Sequence, residues 1–297
     1  MPATKFICPS DSEHKEVPIK QCLNACPNKV RCYSLPILNA VANNERLFKR
    51  VSGSMSGDSP RIIMLKATQD YSIDPEKAIA SLIGSCLHYL YAINAGEEDI
   101  AERTIKGNIG SIEMESTADL LSPDGQGKWV LTDYKNVGSF HLAKYLGYKV
   151  KREVVYKNGK PYKYKSGYRK GQIKSVNKTY QDNRYVDVIN ETIQLNCYRI
   201  LHEQEGREIS RMEIQAIARD GNTSVSRQRG ITRMGYLVPV IRLADRKVIN
   251  FYEKLQAEAD EAIRIGYAIK CSERNMWGGN RCDNYCPVRK QCDAMGK

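Results

Sequence analysis

Two strand-like runs, 112–121 and 128–137, flank the segment Pro123-Asp124-Gly125-Gln126-Gly127, whose residues are those of a tight turn. The pattern predicts a β-hairpin. With the tip near Gln126, positions 119 and 133 lie seven residues out on either arm, so Asp119 faces Asp133. Side chains alternate along a strand, which brings Lys135 out on the same face one step beyond Asp133. Elsewhere the apolar positions follow a helical period. Asp74-Pro75-Glu76 opens a helix running to about Asn94, with Ile79, Leu82, Ile83, Cys86, Leu87 and Leu90 as its stripe and His88 on the flank. Val186, Ile189, Ile193, Cys197, Ile200 and Leu201 predict an amphipathic helix over 185–204, which sets Gln194 and Tyr198 on one face.

A short helix over 140–146, strands over 212–218 and 236–241, and a helix over 247–266 with Phe251, Leu255 and Ile263 inward complete the elements. The stretch 220–233 is polar, with three arginines, and 53–60, rich in Ser and Gly, reads as a loop. Cys86 and Cys197 read as core cysteines. Together these elements predict an α/β fold, a mixed central sheet flanked by helices.

Facing carboxylates repel, and a sheet tolerates them mainly when a cation sits between them. Hard oxygen donors suit Mg2+ or Mn2+. A lysine beside such a site can orient and help deprotonate a metal-bound water, or stabilise charge developing on a phosphate. The plainer alternative is a solvated hairpin face on which Asp and Lys simply pair.

Charge narrows the choice of partner. The 297 residues carry a formal net charge of +12, which favours a polyanion. The excess is concentrated over 147–185, where Lys151, Arg152, Lys163, Lys165, Arg169 and Lys170 interleave with Tyr164 and Tyr168 and acids are few. Cations neutralise phosphates and aromatic faces stack on exposed bases, so the mixture suits a single-strand binding surface. Asn158-Gly159 adds a hairpin turn inside it. No run reaches the roughly 20 apolar residues of a membrane span, and the first ten residues lack a signal-peptide core, so the expectation is an intracellular, cytoplasmic protein without a membrane partner.

Eight of the ten cysteines fall in two end clusters. Cys8, Cys22, Cys26 and Cys32 are spaced C-x13-C-x3-C-x5-C, with His14 in the long gap; Cys271, Cys282, Cys286 and Cys292 are spaced C-x10-C-x3-C-x5-C. Pro27 and Pro287 each follow the third cysteine. Such quartets fit tetrahedral Zn2+ or an iron-sulfur cluster, and the repetition argues that each end holds its own ion or cluster in a structural role. The divisions expected are a cysteine module over 1–40, a core over 41–268 with the basic insertion at 147–185, and a second cysteine module over 269–297.

Asp119 followed by Asp133-Tyr134-Lys135 across a Gly-containing hairpin resembles the core of the PD-(D/E)XK nucleases. Gln194-x3-Tyr198 and the upstream Gly84-x3-His88 are similar to its RecB-like branch, and the terminal cysteines to the iron-sulfur subgroup that includes AddB-type and CRISPR-associated exonucleases. Departures are Ser116 where that branch commonly has Gly, and four N-terminal cysteines where one is usual. The resemblance implies a restriction-endonuclease-like core that hydrolyses DNA phosphodiesters, preferentially from single-stranded ends. It implies Mg2+ or Mn2+ on Asp119, Asp133, the Tyr134 carbonyl and His88, with Lys135, Gln194 and Tyr198 completing the site. It also implies a [4Fe-4S] cluster on Cys32, Cys282, Cys286 and Cys292, a partition that leaves Cys8, His14, Cys22 and Cys26 as a zinc set, and a protein partner in recombination, replication or CRISPR-type processing. The alternative from another class is a metal-stapled nucleic-acid-binding protein without catalysis.

Overall fold

The computed structural model describes residues 3–43 and 50–296; residues 1, 2, 44–49 and 297, which fall within the three expected divisions, lie outside that description. The chain opens with β1 (Lys5–Ile7) and β2 (Glu16–Pro18), antiparallel with Phe6 opposite Val17, followed by helices α1 (Ile19–Asn24) and α2 (Leu35–Asn43). Helix α3 (Pro60–Thr68) starts cleanly because Ser59 accepts a hydrogen bond from the Ile62 NH and Pro60 occupies its first turn. Strand β3 (Ser72–Ile73) then pairs in parallel with β1. Residues 53–57 are not an open loop but a 3-10 turn packed into the body. A Cβ at Gly53 would run into the Tyr198 ring, and the buried Tyr252 hydroxyl donates to the Gly53 carbonyl at 2.7 Å.

Asp74 caps α4 (Pro75–Ala92) as the sequence predicts. Its apolar stripe does not bury. Ile83 and Leu90 are about half exposed and Cys86 is exposed, because the helix lies on the body by its first turn and the flank carrying His88 and Tyr91. The core reading holds for Cys197, which is buried, and fails for Cys86.

A five-stranded mixed sheet forms the centre. Strands β4 (Ile100–Ile109), β5 (Ile112–Pro123) and β6 (Trp129–Val137) form an antiparallel meander, and the β5–β6 ladder pairs Leu120 with Thr132 and Leu121 with Leu131, the register predicted from a tip at Gln126. After α5 (Ser139–Tyr145) the chain leaves the sheet in β7 (Tyr148–Val154), the small hairpin β8 (Tyr156–Lys157) and β9 (Lys160–Pro161), and β10 (Ser175–Gln181), which pairs with β7 alone. Asn158 and Gly159 both take positive φ at the β8–β9 turn, as an Asn-Gly hairpin requires.

Helix α6 (Ile189–Gln204) returns the chain to the body. It begins four residues later than its stripe predicts, because Asp182 caps a 3-10 turn over Asn183–Tyr185 and the Asp187 NH is engaged by the Lys144 carbonyl. Strand β11 (Ile209–Ala218) then pairs in parallel with β6, and, after α7 (Ser224–Gln228), β12 (Gly235–Val240) pairs antiparallel with β11. The order is β12-β11-β6-β5-β4. Helix α8 (Asp245–Ile265) ends at Gly266 in the left-handed conformation and buries Val248, Tyr252 and Leu255. Three short helices, α9 (Glu273–Met276), α10 (Asn280–Asn284) and α11 (Arg289–Ala294), finish the chain.

The two ends share a core. Phe6 and Leu38 from the first module pack with Met64 and Leu65 of α3, Ala262 of α8 and Val288 near the C-terminus. The cysteine-bearing segments flank this cluster, so neither module stands apart from the body.

Candidate active site

Three elements bring the predicted acids together. The β5–β6 register places Asp119 and Asp133 in one cleft, α4 adds His88 and α6 adds Gln194 and Tyr198. The cleft has a volume of about 1220 Å3 and also holds Lys135 and Glu102. Asp133 is 1% exposed and Asp119 9%. Lys135 Nζ lies 2.6 Å from Asp133 Oδ2 and pairs the buried carboxylate with its ammonium. Gln194 Nε2 donates to the other oxygen at 3.3 Å and to the Tyr198 hydroxyl at 2.8 Å. The Gln-x3-Tyr pair therefore supports Asp133 directly.

Asp119 has a different environment. Its Oδ2 accepts the Tyr134 NH at 2.7 Å, and its Oδ1 stands 3.6 Å from His88 Nδ1, which contacts Glu102 Oε1 at 2.9 Å. One ligand atom each from His88, Glu102 and Asp119 lies within 4.8 Å of the others, and among the described residues no other trio of His, Cys, Asp or Glu is so close. Sequence reasoning missed Glu102. It sits on β4, where residues 100–109 offer no clean alternation, and its only local peculiarity is a φ of 48°. The Tyr134 ring packs edge-on to His88 at 5.9 Å and tilted against Tyr91 at 4.7 Å, which fixes the imidazole against the strand.

Burial, reinforced by the nearby Asp133 charge, pushes the Asp119 carboxyl up to about 7, against the opposing pull of His88 and Lys135. Burial works against the Lys135 ammonium as well, but the charges of Asp133 and Asp119 outweigh it and hold that group above the usual lysine range. Two buried carboxylates, Asp119 and Asp133, thus share the Lys135 ammonium. A divalent cation on His88, Glu102 and Asp119, with Asp133 beside them, fits this donor set of one imidazole and hard oxygens.

The basic stretch does not line this cleft. Among the described residues, none from 147–185 does, because β7 and β10 form a sheet of their own beyond α5. Lys151, Arg152, Lys163, Lys165, Arg169 and Lys170 are all exposed on that arm, as is Tyr168, while Tyr164 is half-buried. Arg169 lies over the Tyr168 ring at 5.0 Å and the Tyr164 ring at 6.0 Å, so part of the aromatic surface is already covered by the arm's own cations. A second cavity of about 630 Å3 opens at the base of the arm among Phe140, Lys144, Lys149, Tyr185 and Arg229.

The cysteines fall into two groups. Cys8, Cys22, Cys26 and Cys32 surround one cavity, and Cys271, Cys282, Cys286 and Cys292 another. Burial pushes the Cys22 thiol up, and the sulfurs of Cys26, Cys32 and Cys8 push it further, which places all three near it. Cys32 thus sits with the N-terminal set, contrary to the partition the resemblance implies. His14 lines neither cavity and is exposed, held outward at φ 51° by a turn in which its NH reaches the Asp11 carbonyl. Arg61, 1% exposed, spans α3 and the C-terminal quartet. Its terminal nitrogens donate to the carbonyls of Ala268, Cys292 and Gly296, and its buried Nε has no partner. Neutral carbonyls do not offset a buried charge, whereas metal-bound thiolates in the same pocket would.

No protein-family model matches the chain, and no curated protein does. Among solved structures, the crystal structure of SSO0001 aligns at a TM-score of 0.45 and 13% identity, covering 88% of this chain and 95% of that one.

Proposed function

We propose that the protein is a divalent-metal-dependent nuclease that hydrolyses DNA phosphodiesters, working from single-stranded ends. The observation that carries the reading is the convergence of His88, Glu102, Asp119, Asp133 and Lys135 in one cleft, where the Lys135 ammonium faces two buried carboxylates. His88, Glu102 and Asp119 would hold the ion, with Asp133 beside them. A bound Mg2+ or Mn2+ supplies positive charge against the phosphate and acidifies water.

The chain's own groups divide the remaining work. Lys135 stays protonated because two carboxylates favour its charge, so it serves as a donor to a phosphate oxygen and orients water rather than accepting a proton. Gln194, braced by Tyr198, holds Asp133 in place. The exposed cations of the β7–β10 arm would attract the strand from outside the cleft. The C-terminal quartet beside Arg61 would carry a [4Fe-4S] cluster that ties α9–α11 to α3.

The test is incubation of the protein with Mg2+ or Mn2+ and matched linear and circular single-stranded DNA. The proposal expects metal-dependent loss of the linear strand while the circle survives. Equal attack on both would contradict end-dependence, and two intact substrates would contradict hydrolysis.

A further inference from the structure

The N-terminal cysteines form a site of their own, whatever the acidic cleft does. Cys22 lies on α1, Cys26 just past its end, and Cys32 on the following loop; Cys282 on α10, Cys286 just past its end and Cys292 on α11 repeat that order at the other terminus. Each quartet faces its own cavity. The Cys26–Val30 turn is built to curve around the first one. Lys29 adopts φ 62° with its NH on the Cys26 carbonyl at 3.0 Å, and Asn28 turns its side-chain amide toward Cys8 Sγ at 3.5 Å. An N–H aimed at sulfur is the contact a metal-bound thiolate accepts.

The spacing of the sulfurs selects the occupant. A single tetrahedral Zn2+ at about 2.3 Å from each sulfur draws its thiolates to within about 3.8 Å of one another. Among the described residues, no three cysteine sulfurs lie within even 4.8 Å, a spread wider than one Zn2+ permits in either quartet. A cluster of several atoms takes its thiolates from further apart, as both quartets offer them. We infer that Cys8, Cys22, Cys26 and Cys32 bind an iron-sulfur cluster of their own, separate from the centre at the C-terminal quartet. The protein then carries two clusters, each packed against the shared core of Phe6, Leu65 and Val288.

The experiment is iron, acid-labile sulfide and zinc analysis of the full chain purified without air, alongside Cys22→Ser, Cys32→Ser and Cys286→Ser. The unaltered protein should hold about eight iron atoms per chain, two complements of a [4Fe-4S] cluster. Cys22→Ser and Cys32→Ser should each lose about half, and combining them should lose no more, whereas either combined with Cys286→Ser should lose nearly all. Should the variants fail to fold, the unaltered chain still decides: about four iron atoms, with or without one zinc, overturns the proposal. So does a Cys32→Ser loss that overlaps that of Cys286→Ser instead of Cys22→Ser.

Discussion

His88 on α4 and Asp119 on β5 stand 3.6 Å apart, and Glu102 of the neighbouring strand β4 closes on the same imidazole nitrogen at 2.9 Å. The contact joins a helix flank to the centre of a sheet through groups that each bind divalent cations. Glu102→Ala should therefore weaken Mn2+ binding by about tenfold or more, since a carboxylate that either ligates the ion or orients its histidine typically carries that weight. Titration of free Mn2+ by its paramagnetic resonance signal measures this directly. Unchanged affinity would remove Glu102 from the site.

Asp119 gives the metal-free protein an unusual pH response. Between its usual 3.8 and about 7, the folded chain retains a proton that the unfolded chain has released, so stability falls as pH rises through that window. Thermal melting with chelator should show a falling midpoint toward neutral pH, and saturating Mg2+ should restore it. Asp119→Asn should flatten the chelated profile.

His202 acts in the opposite direction. It is wholly buried with neither ring nitrogen partnered, and burial, aided by the Arg207 charge, pushes it down to about 4. Between 6.5 and 4 the unfolded chain takes up a proton that the folded one refuses, so stability falls as pH drops. Replacing His202 with Phe should lessen the acid loss while leaving the alkaline limb untouched, as read from melting midpoints across pH 4–7.

The hairpin and its register were legible because they depend on local rules: turn residues, a period of two and equal distances from Gln126. Periodicity placed His88, Gln194 and Tyr198 on their helices, but only the resemblance to the RecB-like branch marked them as site residues. Glu102 was not legible, since β4 lies at the sheet edge and buries only Ile105 and Ile109, a spacing that signals no strand. The α4 stripe misled for the converse reason: helical periodicity reports an apolar face without reporting whether anything covers it. The matched cysteine spacings marked out the two quartets that surround separate cavities, whereas the partition implied by the resemblance set Cys32 apart from its neighbours. The place of the basic arm was not legible either, since α5 carries it away from the cleft.

Arg61 should be among the residues least tolerant of change. Arg61→Leu leaves the buried Ala268 carbonyl without its donor, at about 1–3 kcal/mol, and takes the same donor from the part-buried carbonyls of Cys292 and Gly296. Arg61→Lys should recover only part of that, since one ammonium cannot reproduce the fork. Urea unfolding of both variants tests the ranking.

If the β7–β10 arm attracts DNA, its contribution is electrostatic. Changing Lys163, Lys165 and Arg169 together to Ala should lower the slope of log affinity against log salt by about 2 for a single strand. Fluorescence anisotropy over a salt series reads the slope, and an unchanged value would show that the arm does not contact phosphate.

The proposed hydrolysis of DNA in the acidic cleft requires both a metal and Lys135. Its most direct test is the cutting of an end-labelled single-stranded oligonucleotide, with binding followed in parallel, by the unaltered protein and by Asp133→Asn and Lys135→Ala. The account predicts cutting only with Mg2+ or Mn2+, and a loss of about 10²–10³-fold or more in either variant with binding within about twofold of the original. An intact oligonucleotide with the unaltered protein in both metals, or full cutting by either variant, would contradict it.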